Sequence, residues 1–292
     1  MADAGADTGT GNRLAKARGQ ILPGATKKVA SKSLLHQIGT DIRSVLGRTL
    51  DFVVPPSCPV CRTVVQDDGG LCGGCWRQVP WIEDPVCDRL GLSLAYDLGP
   101  GAVSAEALAN PPQFDRLRAA CTYEGVAPRL VHALKFSDQR HLAEALGAMM
   151  ARAGRHLIAE KDVVLVPVPL HPLRRMQRRY NQSALLARVI GSIAGVPVSY
   201  NAVKRVKRTR QQLSLSRGER MRNLQGAFVV TAQGQAILAG KRVVLIDDVH
   251  TTGATLNALT QVVQNLPGPI RSTGVDALVF STAIVPDTAI TI

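Results

Sequence analysis

Two adjacent carboxylates, Asp247 and Asp248, stand between an apolar run and a loop of small hydroxylated residues. The segment 243–255 reads Val-Val-Leu-Ile-Asp-Asp-Val-His-Thr-Thr-Gly-Ala-Thr. Thr251, Thr252 and Thr255 offer hydroxyl donors, and Gly253 lets the backbone approach an anion with no side chain in the way. The loop opens a helical pattern, and a helix N-terminus presents free N–H groups and the positive end of a dipole to a phosphate. The two acids carry the wrong charge for phosphate, but they suit sugar hydroxyls or a magnesium ion. A phosphorylated sugar meets both demands. The alternative is a capped helix after a strand, with Thr252 or Thr255 as cap. The paired acids directly after four apolar residues weigh against it. The G-x-x-x-x-G-K-[ST] pattern of nucleotide triphosphatases is absent.

A second constellation is Cys58-x-x-Cys61 followed, after ten residues, by Cys72-x-x-Cys75. Four thiolates at this spacing close a tetrahedral shell around a structural zinc ion. Gly73, Gly74 and the loop 67–70 allow tight turns around it. A segment of about 55 residues without its own core needs such a staple. Buried reduced cysteines are the plainer reading, and a redox pair fits less well because neither pair lies at a strand–helix junction. Cys121 falls in a strand pattern and reads as core. His36, His141 and His156 lie on helical patterns without partner ligands.

The third feature is charge. The net charge is +13, and residues 171–222 contribute +12 of it with Glu219 as the one acid. A block so lopsided suits a polyanion, either a phosphate-rich small molecule or nucleic acid. Its nucleic-acid candidates are Arg205, Lys207, Arg208 and Arg210. Aromatic residues make up 4% of the chain, which leaves few platforms for stacked bases.

The elements that must position these groups follow from periodicity. Residues 1–32 read as a disordered basic arm and 33–55 as an amphipathic helix ended by Pro55-Pro56. Residues 56–112 form the zinc-ribbon module, poor in periodicity and rich in turns. Residues 113–288 alternate strands and helices: strands at 117–123, 163–168, 243–246 and 275–280, helices at 127–136, 142–156, 182–193 and 254–265. That alternation predicts an α/β domain with a parallel sheet flanked by helices. No apolar run reaches the length of a membrane span. The first twenty residues lack the apolar region of a secretory signal, so the expected location is cytoplasmic.

Segment 243–255 resembles the phosphoribosyl-diphosphate (PRPP) signature of type I phosphoribosyltransferases. The resemblance implies a type I phosphoribosyltransferase fold. It also implies that Asp247 and Asp248 hold the ribose 2- and 3-hydroxyls, while Thr251, Thr252, Gly253, Ala254 and Thr255 wrap the 5-phosphate. Purine-specific members place an Asp where this chain has Thr251, so a purine acceptor loses support. A wider resemblance runs from about residue 45 onward. Tyr123-Glu-Gly, His132-Ala-Leu-Lys-Phe, Val166-Pro-Val-Pro-Leu-His-Pro, Tyr180-Asn-Gln-Ser, Gln212-Leu-Ser and Gly226-Ala-Phe occur in the order seen in the competence protein F family.

That family joins an N-terminal zinc ribbon to a phosphoribosyltransferase domain and is linked to DNA uptake. The resemblance implies a pyrophosphate loop at His171, Arg174 and Arg175, with Lys135 and Arg140 as further ligands. It also implies a mobile hood over Lys204–Arg222, and magnesium bound together with PRPP. Where the family has a Gly before the aromatic residue of its F-N-Q motif, this chain has Arg179 before Tyr180. The family often carries a second metal knuckle. Here Cys87 remains and Leu90 stands in its partner position, so one zinc ion is expected. Three functions remain open: a phosphoribosyl-transferring enzyme, a non-catalytic accessory of competence that binds single-stranded DNA, and a PRPP-sensing regulator. A competence or helicase partner and the oligomeric state are left open.

Overall fold

The computed structural model describes residues 55–66, 70–136, 141–170, 180–207, 223–268 and 271–283. The expected arm and helix over 1–54, Arg140, His171, Arg174, Arg175, Arg208 and Arg210 lie outside the described residues. All described residues belong to one compact unit, Pro55–Ile292.

The elements are, in order, α1 (Gly73–Trp76), α2 (Ala105–Ala109), β1 (Leu117–Thr122), α3 (Ala127–Phe136), α4 (Leu142–Ala153), α5 (Arg155–Ile158), β2 (Val163–Pro167), α6 (Gln182–Ala194), β3 (Val203–Arg205), β4 (Phe228–Val230), α7 (Ala232–Leu238), β5 (Arg242–His250), α8 (Ala254–Gln264) and β6 (Gly274–Thr282). Four strands form a parallel sheet in the order β1-β6-β5-β2, and β3 and β4 form a separate antiparallel pair. The expected α/β class and parallel sheet are therefore present. The helix expected over 142–156 breaks at Gly154 into α4 and α5. β5 runs on to His250, so the two acids lie inside a strand and not at its end. The β3–β4 pair has no counterpart in the sequence reading.

Alternation along β5 splits the core in two. Val244 and Ile246 face a cluster built by Leu130 and Leu134 of α3, Leu142, Leu146 and Met150 of α4, and Leu186 and Ile190 of α6. Val243 and Leu245 face a second cluster built by Leu256, Leu259 and Val263 of α8, with Val203 and Phe228 of the small sheet. Both sheet edges are covered. On the outer side of β1, Trp81 pairs with Cys121, Ile82 N donates to Ala120 O at 3.2 Å and Thr122 N to Pro80 O at 3.0 Å. On the outer side of β2, Leu165 N donates to Pro197 O at 2.9 Å and Ser199 N to Leu165 O at 2.8 Å. Covered edges remove the row of unpaired backbone groups that would template pairing with other chains.

The cysteine module is built onto this sheet. Val79 belongs to the first cluster, with Val60, Leu71 and Trp81 packed against it. Cys87, Leu90, Leu92, Ala107 and Phe114 belong to the second cluster, beside Leu117, Ala119 and Val275. Residues 85–114 thus share a core with the sheet, which their lack of periodicity does not reveal.

Candidate functional site

β2 stops at Pro167 while β5 continues, so the first turn of α6 takes the place beside the carboxyl end of β5. Asn181 fixes that turn. Its Oδ1 accepts from Ser183 N at 3.1 Å, and its Nδ2 donates to Val168 O at 3.0 Å. Tyr180 Oη donates to Leu134 O, which ties the start of α6 to the last turn of α3. The last turn of α3 carries Lys135. Three elements therefore converge on the acid pair.

Lys135 Nζ lies 3.0 Å from Asp248 Oδ1, and Gln182 Nε2 donates to Asp248 Oδ2 at 3.0 Å. Asp247 Oδ1 accepts from Ser183 Oγ at 3.0 Å and from Asp248 N at 2.9 Å. Asp248 is buried, and Asp247 keeps some exposed surface although its carboxyl sits deep among protein atoms. Loss of water and the charge of Asp248 push the Asp247 carboxyl up from the ordinary 3.8 to about 7. The Asp248 N–H, Lys135 and Ser183 oppose that rise without cancelling it. Near neutral pH the Asp247 carboxyl is thus poised between its charged and neutral forms.

The loop after β5 turns sharply at Gly253, with φ +71°. A Cβ there would lie 2.9 Å from His250 Nε2, so both backbone conformation and space require glycine. Gly253 is the N-cap of α8, which rules out the alternative in which Thr252 or Thr255 takes that position. His250 is buried beneath the loop, with its Nδ1 3.2 Å from Thr282 Oγ1 and its ring edge-on to Phe114. Thr251 is exposed, Thr252 and Thr255 half-buried, and Gly253 and Ala254 buried. The acids, in the carboxyl half of β5, and the opening of α8 therefore lie toward the carboxyl edge of the sheet, where open α/β sheets place their ligands.

Of the residues singled out in the sequence, Lys135 is brought to the acids. Gln182, Ser183 and Asn181 were not singled out as site residues, although they stand in the Tyr180–Ser183 stretch that carries the family resemblance. Arg205 closes β3 with its guanidinium 5.5 Å from the centre of the Phe228 ring, and Lys207 is exposed just beyond it.

The four cysteines Cys58, Cys61, Cys72 and Cys75 bring their sulfur atoms within 4.8 Å of one another, with Cys61 and Cys72 at 3.4 Å. Zinc–sulfur bonds of about 2.3 Å in a tetrahedron place sulfurs roughly 3.8 Å apart, so the cluster fits the ion. The cluster cannot ionise fully without a cation. Hydrogen bonding to Thr63 holds the Cys61 thiol down to about 6, while burial pushes Cys75 up.

A family model described as a double zinc ribbon domain matches residues 49–107. With the sulfur geometry, it identifies the four cysteines as a structural zinc site. The chain is 33% identical over 201 residues to competence protein F of Haemophilus influenzae, which covers 68% of this chain and 85% of that protein. It is 31% identical over 216 residues to the DNA utilization protein YhgH of Salmonella typhimurium, covering 72% and 92%. The competence protein ComFC of Bacillus subtilis matches at 28% over 141 residues, 48% of this chain and 54% of that protein. Among the described residues, no helix is long and apolar enough to cross a membrane.

Proposed function

This chain belongs to the competence protein F family, and on that premise we propose that it is a competence-related protein that binds PRPP at the carboxyl end of β5. The observation that carries this reading is the junction of an acid pair with a glycine-capped helix start. Asp247 and Asp248 lie in the carboxyl half of β5, and the backbone of Gly253 and Ala254 opens α8 three residues beyond His250.

In this reading the hydroxyls of Thr251, Thr252 and Thr255 and the first N–H groups of α8 receive the 5-phosphate. The acid side takes the sugar. Lys135 neutralises Asp248 before the ligand arrives and stays beside it as a cation for the diphosphate. His171, Arg174 and Arg175, which follow β2 in sequence, supply further cations. Magnesium, when bound with the ligand, lowers the charge on the departing pyrophosphate. If a transfer follows, the chain's own contribution is to hold the anomeric carbon in place and to present donors to the leaving group as charge develops there. The Thr251 position carries no base for a purine ring.

A second reading has support of its own. The relatives named for competence and DNA utilization, the +12 segment and the exposed Lys204 and Lys207 suit a single-stranded DNA-binding accessory. One calorimetric experiment separates the readings. PRPP with magnesium is titrated into the wild type and into the Asp247→Asn/Asp248→Asn variant, then replaced by a single-stranded oligonucleotide. We expect the double variant to lose PRPP binding and keep any binding of the oligonucleotide. Wild-type affinity for PRPP in the double variant would remove the acid pair from the site. Binding of PRPP without magnesium-dependent turnover would mark a sensor and not an enzyme.

A further inference from the structure

The helices over the first core cluster leave a groove between them. α4 and α6 press together where Gly147 meets Val189, and a Cβ on that glycine would lie 2.7 Å from the Val189 side chain. Gly154, held as closely against Leu278 of β6, ends α4 and turns the chain into α5. Between these two contacts and the last turn of α6 lies a groove of about 430 Å³, lined by Ala148 and Ala151 of α4, Ile158 of α5 and Ile193 and Ala194 of α6. Ile193 leaves 57% of its surface to solvent, although its helix is packed on the core.

The same groove carries two cations. Arg152, in the last turn of α4, and Arg155, the first residue of α5, line it, and both are exposed. Neither forms an ion pair among the described residues, whereas Arg116, Arg118, Arg188 and Arg242 each hold a carboxylate. No acid lines the groove. The acids on and just after these helices are taken, Glu144 by Arg188 and Glu160 by Arg116 and Arg242.

An apolar trough with two unpaired guanidinium forks matches a ligand that offers a bulky apolar side chain beside carboxylates. Nucleic acid suits the cations but not the trough, which has no aromatic ring on which a base would stack. Residues 1–54, with eight basic residues against four acids, have the wrong charge. We infer that this groove is a docking site for an acidic segment of a partner protein, which inserts an apolar side chain beside Ile158 and Ile193 and sets neighbouring carboxylates on Arg152 and Arg155. The inference does not depend on what the acid pair binds. α6 has Ser183 at the acids and Ile193 at the groove, and ten residues of helix separate them by roughly 15 Å.

The test is fluorescence anisotropy of the full chain with a labelled peptide, Gly-Ser-Gly-Ser-Asp-Glu-Asp-Leu-Phe, whose carboxyl end is free. We expect saturable binding. Arg152→Glu with Arg155→Glu should weaken it at least about tenfold, and Ile193→Asp should do the same by charging the trough. These side chains are exposed, so melting curves and zinc content should stay at wild-type values. If one variant fails to fold, the other carries the test. A peptide ending in Ser-Ser instead of Leu-Phe should bind at least about tenfold more weakly. No saturable binding to the wild type overturns the site, as does equal binding by the wild type and the variants. Equal binding of the Ser-Ser peptide also overturns it, by reducing the effect to bulk charge. A single-stranded oligonucleotide that displaces the peptide and loses its own affinity in Ile193→Asp would make the groove a nucleic-acid site instead. Tighter peptide binding after removal of residues 284–292, which carry Asp287, Ile290 and Ile292, would make the chain's own tail the occupant and overturn the partner.

Discussion

Residues 56–79 and 85–109 share one backbone design, and among the described residues only the first brings four cysteine sulfurs together. In the first, Ser57 bridges Val64, Cys58 N donates to Thr63 O at 2.8 Å, Arg62 N to Cys58 O at 2.9 Å and Val65 N to Pro56 O at 2.9 Å. In the second, Val86 bridges Ser93, Cys87 N donates to Leu92 O at 2.7 Å, Gly91 N to Cys87 O at 2.8 Å and Leu94 N to Pro85 O at 2.7 Å. Arg62 and Gly91, at equivalent places, both have positive φ. Each copy ends in a short helix. Cys72 caps α1 by accepting from Cys75 N, and Ser104 caps α2 by accepting from Ala107 N, both at 3.4 Å. The zinc ligands Cys58, Cys61, Cys72 and Cys75 thus correspond to Cys87, Leu90, Ser104 and Ala107.

What separates the copies is their surroundings. In the first knuckle Cys61 is exposed and Cys72 half-buried, with Cys58 and Cys75 buried behind them. Cys87, Leu90 and Ala107 are buried in the core that covers one face of the sheet. At Gly91 a Cβ would come within 2.4 Å of Leu117 O, which shows how closely the second knuckle presses on β1. The lesson is one of exchange: where a ribbon gains a sheet to pack on, apolar contact can replace metal–thiolate bonds.

The largest effect should come from the first knuckle. Purified protein should hold about one equivalent of zinc, and Cys72→Ser should lose it. Structural zinc is worth ~10–16 kcal/mol to isolated finger peptides, far more than the few contacts of residues 56–79 with the core. Hydrogen exchange should therefore accelerate across 56–79 while β1, β5 and β6 stay protected. Two equivalents in the wild type would mean that the second copy also binds metal and would break the comparison.

The correspondence can be sharpened by restoring the missing ligands. Leu90→Cys, Ser104→Cys and Ala107→Cys together should raise the zinc content from about one equivalent to about two. The melting temperature of this triple variant should become sensitive to chelator in a second, separate step. A content that stays at one equivalent would show that the two backbones, though alike in hydrogen bonding, do not place their side chains alike.

The acid pair is a third cluster of like groups, held close by Lys135, Gln182 and Ser183. Its cost should appear as pH dependence. The folded carboxyl of Asp247 lies at about 7, above its ordinary 3.8, so the folded state binds more protons than the unfolded state between those values. Stability must then fall as pH rises from about 4 to about 7 through this group. Asp247→Asn should remove that component and gain most, relative to wild type, at and above pH 7. Equal pH profiles of melting temperature for the two proteins would contradict the raised value. Asp248→Asn should differ in sign near neutrality, because it leaves Lys135 without its partner.

Much of this was legible in the residues. The runs at 163–168, 243–246 and 275–280 are buried on both faces and could only be parallel strands, and α3 falls on the residues its apolar spacing predicted. The cysteine spacing announced the zinc cluster, and Lys135 entered through the family resemblance. Three things were not legible. The continuation of β5 through Asp247 to His250 is set by pairing with β6, where Asp247 lies opposite Val279 and His250 opposite Thr282, and no local pattern encodes that. The roles of Gln182 and Ser183 depend on β2 stopping at Pro167, which brings a distant helix start to the acids. The second ribbon is hidden because three of the positions corresponding to the zinc ligands hold Leu90, Ser104 and Ala107, and its core is shared with strands far along the chain.

The smallest predicted effect concerns the one ligand that survives in the second copy. Cys87 is fully buried, and its sulfur accepts from Leu90 N at 3.4 Å and from Ser104 N at 3.2 Å. These two bonds let the sulfur organise the knuckle from within the core. Cys87→Ala removes the acceptor from both N–H groups and leaves a small void. Sulfur is a weak acceptor, so the loss should be about 1–2 kcal/mol, toward the lower end of the penalty for unpaired buried donors. Cys87→Ser keeps an acceptor on a shorter bond and should cost less. Zinc content should stay at one equivalent in both variants. Urea midpoints at unchanged slope would measure the difference. A loss of zinc from Cys87→Ala would show instead that the knuckles share a ligand or fold as one unit. A cost near zero would show that the packing of Leu90, Leu92 and Phe114 alone holds the second copy in shape.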